Sequence, residues 1–228
     1  MLSHLPITAD RPLQEGRSAA FETGASGNQP AAGPLPSQNN HDSRITIVSG
    51  LPRSGTSLMM QMLAAGGMNL LTDARRAADS ANPAGYFELE AVKQTRFNAG
   101  WTTEASGKAV KVIYRLLYDL PPALQYRVIF MRRNLQQVTA SQRAMLGLPP
   151  AAAADRQRLI DIFTGELAHI DAWLAAHGRF QVLHVEHAHL LADPAAACEA
   201  VAEFLDRPLK ISAMCAAINP ALYRQKCR

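Results

Sequence analysis

The residues of this chain best equipped for chemistry are those that hold anions, and they fall in two short stretches. The first, Pro52-Arg53-Ser54-Gly55-Thr56-Ser57, follows the apolar run Ile45-Thr46-Ile47-Val48-Ser49-Gly50. Such a run delivers the chain to a loop, and a helix begun behind the loop turns its free backbone N–H groups toward whatever the loop wraps. Arg53 adds a fixed planar cation, and the hydroxyls of Ser54, Thr56 and Ser57 add donors, a combination suited to phosphate or sulfate. Gly50 and Gly55, which let the backbone come close to the anion, are spaced as in the Gly-x-x-x-x-Gly-Lys-Ser/Thr loop of ATP-binding proteins. Thr56, however, stands where the lysine for the β and γ phosphates belongs. The second stretch starts at Arg132-Arg133-Asn134 and reaches Ser141 two helical turns later. Helical rise puts Ser141 only about 12 Å beyond the strand end. An anion shared by Arg133 and Ser141 must therefore lie alongside this helix, close to the first loop, and two anion sites imply a ligand with two phosphate-like groups.

The elements that position these residues are readable from periodicity. A helix is expected over 56–65, where Leu58, Met59, Met62 and Leu63 recur at helical spacing, and Met59, Met60 and Met62 read as core packing. The polar stretch 72–83, then Gly85-Tyr86-Phe87-Glu88 and a helical pattern through Trp101, reads as a lid on the substrate side. Strands are expected over 109–114 and 126–131, the second running through Arg132-Arg133-Asn134 into a helix to about residue 146. A long helix carrying Ile160, Phe163, Leu167, Ile170 and Leu174 follows, then a strand over 180–185 and a helix opened by Asp193-Pro194. This alternation predicts an α/β fold, a P-loop-like three-layer sandwich around a mostly parallel sheet of four to five strands, with ligands at the carboxyl ends. Residues 1–43 mix Gly, Pro, Ser, Asn and Gln without periodicity. They read as a flexible leader ahead of one domain over 44–228.

Composition narrows the function. A net charge of +4 and a pI near 9.1 are met by a basic pocket for an anionic ligand. There is no lysine/arginine run, and the 6% of aromatic residues do not interleave with basic ones, so no nucleic-acid partner is expected. Cys198, Cys215 and Cys227 are odd in number, widely spaced and without a Cys-x-x-Cys pair, which argues against a disulfide framework or a zinc site. A reducing, cytoplasmic location is expected, since no signal-peptide core and no stretch of the ~20 apolar residues of a transmembrane segment is found.

Taken together, the two anion stretches resemble the nucleotide-binding elements of sulfotransferases that use 3'-phosphoadenosine 5'-phosphosulfate. Pro52-Arg53-Ser54-Gly55-Thr56-Ser57 is similar to that family's 5'-phosphosulfate loop, above all in tyrosylprotein and bacterial members. Arg133 and Ser141 match the arginine and serine that hold the 3'-phosphate. Asn82-Pro83-Ala84-Gly85-Tyr86-Phe87-Glu88, Leu190-Leu191-Ala192-Asp193-Pro194 and Asn219-Pro220-Ala221-Leu222-Tyr223-Arg224 also look like bacterial members, so the resemblance covers about residues 44–225. His187-Ala188-His189 stands where relatives often read Tyr-Glu-Asp, and the C-terminal dimerisation sequence and Arg-Lys-Gly contact of vertebrate cytosolic members are not recognisable.

The resemblance implies in-line transfer of a sulfuryl group to an acceptor hydroxyl or amine, with release of adenosine 3',5'-bisphosphate and no metal. Arg53 is the residue expected to stabilise the departing charge. Lys111 is similar to a lysine at the corresponding strand end that supports the leaving phosphate. In this family the acceptor's proton goes to a histidine or a glutamate; here the candidates are Glu88 first, then Glu90 and His187. His184, His187 and His189, with Glu186, lack the His-Glu-x-x-His spacing of a zinc site. A P-loop kinase-like phosphotransferase and a non-catalytic nucleotide-binding protein stand as alternatives. The acceptor class stays open among peptide tyrosine, carbohydrate, lipid and small phenol.

Overall fold

Among the described residues four strands, β1 (Ile45–Gly50), β2 (Ala109–Lys111), β3 (Tyr126–Arg132) and β4 (Phe180–Glu186), pair in the order β2-β1-β3-β4. All three pairings are parallel, with Ile47 beside Val110 on one side and Val128 on the other, and Val128 beside Val182. The computed structural model describes residues 44–73, 75–79, 82 and 85–218. The leader expected over 1–43, and the tail residues Asn219, Arg224 and Cys227, lie outside the described residues.

Six α-helices cover the sheet among these residues: α1 (Thr56–Ala65), α2 (Leu135–Met145), α3 (Ala153–Ala176), α4 (His187–Ala192), α5 (Pro194–Leu205) and α6 (Ile211–Ala216). No helix among them is long and apolar enough to cross a membrane. A parallel sheet is covered on both faces, which is why its strands read as near-continuous apolar runs rather than clean alternation. Side chains still alternate in direction along each strand. Ile45 and Ile47 with Val128 and Phe130 face Trp101, Leu117, Val138 of α2 and Ile170 of α3. Val48, Ile129 and Met131 face Met59, Met60, Met62 and Leu63 of α1, Val201 of α5 and Met214 of α6. This is the three-layer sandwich expected from the sequence, and the methionine cluster is core. Each such side chain, fully buried, contributes about 1.5–3 kcal/mol relative to an exposed one.

Two elements differ from their sequence reading. The helix expected through Trp101 is instead a pair of one-turn 3-10 helices, Glu90–Gln94 and Gly100–Glu104. Thr95 turns its hydroxyl onto the Val92 carbonyl at 2.6 Å and accepts Trp101 Nε1 at 3.0 Å, so local side-chain bonds end the first turn before an α-helix can propagate. The strand expected over 109–114 ends at Lys111, and a 3-10 helix over Tyr114–Asp119 follows. There the Tyr114 hydroxyl and the Arg115 guanidinium both bond Glu166 of α3, drawing the chain off the sheet.

Candidate active site

Strand register places the two anion stretches together. Gly50, the last residue of β1, is paired with Met131 of β3, so Leu51 onward and, one residue later, Arg133 leave the sheet side by side at its carboxyl edge. β2 lies on the far side of β1 from β3, so the strand order switches there. Crevices of this kind, where strand order switches, are where open α/β sheets bind ligands.

The loop itself is bent by left-handed backbone at Arg53 (φ 74°) and Gly55 (φ 107°). Gly55 has to be glycine for a second reason: an added Cβ would lie 2.7 Å from Cδ2 of His187. At Gly50 it would lie 2.6 Å from Ser54 Oγ and 2.7 Å from the Met131 carbonyl. Tight packing beneath the loop thus demands both glycines, in addition to the close approach to an anion argued from sequence. Arg53 does carry a Cβ, at a cost of roughly 1–2 kcal/mol for left-handed geometry. Two side chains hold that geometry. Arg133 Nη1 donates to the Arg53 carbonyl at 3.1 Å, and Gln142 Nε2 donates to the Pro52 carbonyl at 3.0 Å.

The Arg53 side chain reaches the second stretch directly, its Nε donating to Ser141 Oγ at 3.0 Å. Arg133 Nε donates to Gln137 Oε1 at 3.0 Å, one turn before Ser141 on α2. That helix starts where expected: Asn134 Oδ1 accepts the N–H groups of Gln136 and Gln137 at 2.9 and 3.2 Å. Arg53, Arg133 and Ser141 are therefore one constellation.

Gly55 occupies the N-cap of α1, which has no capping side chain and no acid in its first turn. The N–H groups of Thr56, Ser57 and Leu58 thus have no partner within the helix, and the positive end of the helix dipole faces the loop. Ser54 lies inside the loop. Its hydroxyl is buried against Gly50 without a hydrogen-bond partner, and its N–H donates to the Leu51 carbonyl at 3.1 Å. Ser54 shapes the loop from within.

Lys111, at the end of β2, joins the same cluster. Its largely buried ammonium donates to the Tyr86 carbonyl at 2.9 Å and Ser57 Oγ at 3.2 Å, and lies 3.6 Å from Glu88 Oε1. Burial pulls its pKa below the ordinary lysine value, the charges of Arg76 and Arg53 add to that, and Glu88 opposes it. Arg53 and Lys111 thus feel each other across the crevice. The segment carrying Glu88 is fastened to the loop by Asn82, whose Nδ2 donates to Ser57 Oγ at 3.1 Å and to the Gly85 carbonyl at 2.6 Å. Arg76 stacks 3.4 Å over the Tyr86 ring and pairs with Glu88 at 3.1 Å.

The three candidate bases are now spatially distinct. Glu88 touches Lys111 and so faces the loop. Glu90 is engaged with Lys93 at 2.7 Å on an exposed turn. His187 opens α4 and is buried against Gly55; burial, then the charge of Arg133, pushes its pKa down to about 4. Its imidazole is neutral at pH 7 and less basic than an ordinary one. His184 belongs elsewhere, with Arg132 and Asp171. Among the described residues no group of three or more His, Cys, Asp or Glu side chains is arranged to hold a metal ion.

Sequence reasoning missed Gln137, Gln142 and Arg76 as parts of this cluster, and singled out Asn82 only within the stretch 82–88, with no role of its own. Gln137 had a signal: it stands four residues before Ser141 and so shares its helix face. Gln142 and Arg76 carried none.

No family model and no curated protein matches this chain. Among solved structures, it is similar to the sulfotransferase domain of the Synechococcus PCC 7002 olefin synthase, at 15% identity over 84% of this chain and 86% of that one, with a TM-score of 0.47. It is similar also to the sulfotransferase domain from the curacin biosynthetic pathway, at 12% identity over 80% and 78%, TM-score 0.42. A sugar kinase from Janibacter sp. HTCC2649, solved without ligand, matches at 11% identity over 75% and 98%, TM-score 0.35.

Proposed function

We propose that this chain is a sulfotransferase that uses 3'-phosphoadenosine 5'-phosphosulfate, moving a sulfuryl group to an acceptor hydroxyl or amine by in-line displacement. The observation that carries this reading is the 3.0 Å bond from Arg53 to Ser141, which joins the loop cation to the second anion stretch. A single-phosphate loop has no use for that second stretch; a donor with phosphate-like groups at both the 5' and 3' positions does. The loop is also built to receive an anion, since α1 starts without a capping side chain and with no acid in its first turn.

The donor supplies an activated sulfuryl group, and the chain's own residues position and neutralise. N–H groups of Gly55, Thr56 and Ser57, with the Ser57 hydroxyl, hold the 5' end, while Ser54 keeps the loop's shape. Arg133 and Ser141 hold the 3'-phosphate. Arg53 and Lys111 face the bridging oxygen, where negative charge grows as the S–O bond breaks, and so favour the transition state over the ground state. These cations provide the positive charge that phosphoryl-transfer enzymes draw from magnesium. Glu88 takes the acceptor's proton, and adenosine 3',5'-bisphosphate leaves.

Arg133→Ala separates the two ends of the donor. Calorimetric titration should show the affinity for adenosine 3',5'-bisphosphate falling about 10–100-fold, in keeping with loss of one charge-assisted contact, while adenosine 5'-monophosphate weakens much less. Equal losses for both nucleotides would assign Arg133 only its hold on the Arg53 carbonyl.

A further inference from the structure

Cys198 and Cys215 stand 17 residues apart on consecutive helices with no Cys-x-x-Cys motif, and the fold brings their Sγ atoms to 3.7 Å. Cys198 is buried on α5 and Cys215 is half-buried on α6; both are free thiols. The connection between the two helices is short and fixed. Asp206 takes left-handed backbone at φ 51°, the Arg207 N–H donates to the Ala202 carbonyl at 3.2 Å, and the Lys210 N–H donates to the Gly66 carbonyl at 3.0 Å. α6 is thereby seated on the end of α1, where a Cβ at Gly66 would lie 2.8 Å from Met214 Cγ. A disulfide needs its sulfurs at about 2.05 Å, so the 3.7 Å gap has to close by less than 2 Å.

We infer that Cys198 and Cys215 are a disulfide-forming modification site, closed by a peroxide, which staples α5 to α6 beside the helix that carries the anion loop. Cys215, the more accessible thiol, reacts first. Cys215 gives up its proton, its sulfur attacks one peroxide oxygen and the O–O bond breaks; Cys215 becomes a sulfenic acid, and the departing hydroxide takes the proton and leaves as water. Cys198 then loses its proton, its sulfur attacks the Cys215 sulfur, and the S–O bond breaks; the departing hydroxide takes the proton and leaves as a second water. Two thiols lose two electrons in all, and one hydrogen peroxide is reduced to two waters. The order follows from access, because Cys198 is buried whereas Cys215 is half-buried and open to a small oxidant. A reductant of the thiol class reverses the bond by exchange.

The test uses the full chain with Cys227→Ser, so that only this pair is available. Treatment with hydrogen peroxide at a small molar excess should lower the intact mass by about 2 Da, and a proteolytic digest should contain the peptides of Cys198 and Cys215 joined. The melting temperature should rise by roughly 5–10 °C and return on adding dithiothreitol, as expected for a bond closing a loop of this length in a domain of this size. Cys215→Ser, at the half-buried position, should show neither change. The inference is overturned if both thiols still react with iodoacetamide after unfolding. It is equally overturned if the mass rises in steps of about 16 Da through methionine oxidation alone, or if Cys215→Ser loses the same 2 Da.

Discussion

Replacing Arg53 by alanine is expected to lower kcat for sulfuryl transfer by about 10²–10³-fold at saturating donor, the loss found when one preorganised donor to a developing negative charge is removed. Arg53 is singled out because its guanidinium is held over the crevice on both sides. Its Nε is bonded to Ser141 and its carbonyl to Arg133, so the fork is fixed before any ligand arrives. A fixed cation in a partly enclosed site needs no reorganisation as charge builds on the bridging oxygen, which is why the effect falls on kcat more than on donor affinity. Alanine keeps a Cβ at the left-handed position, φ 74°, and so leaves the loop's backbone energetics as they are. The melting temperature should move only a few degrees, which separates lost chemistry from lost folding. Arg53→Lys should recover little, since an ammonium lacks the planar fork that spans the loop and Ser141. Single-turnover transfer from labelled donor is the measurement, and a variant within tenfold of the wild type would remove Arg53 from the reacting bond.

Glu88→Gln is expected to lower turnover by about 10²–10⁴-fold, the range for loss of a general base, with donor affinity retained. The amide is close in shape to the carboxylate and still able to accept from Lys111, 3.6 Å from Glu88 Oε1, and Arg76, 3.1 Å away. What it cannot do is take a proton. The matched control is Glu90→Gln, which should change turnover little because Glu90 spends its charge on Lys93 at an exposed turn. If Glu88→Gln turns over normally, the proton goes to Glu90 or to His187, and the corresponding single variants decide between them.

The parts of this architecture that could be read from sequence are those whose determinants are local. β1, the loop and the start of α1 are contiguous, and Asn134 and Asp193 cap the helices they precede: Asn134 accepts from Gln136 and Gln137, and Asp193 from Ala196 at 3.1 Å. That the stretch of Arg133 and Ser141 lies close to the first loop was legible as well, but the direct bond from Arg53 to Ser141 was not, because it depends on β1 and β3 being neighbours that end at the same edge. Other features depend on partners distant in sequence. The left-handed backbone of Arg53 leaves no trace in residue type, being sustained by Arg133 and Gln142 from another element. Arg76 sits in a polar stretch without periodicity and acquires meaning only through Tyr86 and Glu88, and the bond from Asn82 to Ser57 is not encoded by the motif that Asn82 opens. The 3-10 turns around Trp101 replace the expected helix because Thr95 offers its backbone and Trp101 a better local bond than the next helical turn. The proximity of Cys198 and Cys215 follows from the seating of α6 on α1, which spacing alone does not encode.

The most direct measurement is a calorimetric titration of the wild-type chain in EDTA with adenosine 3',5'-bisphosphate, set against a second titration with ATP and excess magnesium. Arg53, Lys111, Arg133 and Ser141, read as a metal-independent site for a donor with two anionic ends, predict that the bisphosphate binds at least about tenfold more tightly, a difference of about 1.4 kcal/mol. Tighter binding of ATP with magnesium, and none of the bisphosphate in EDTA, would contradict that reading.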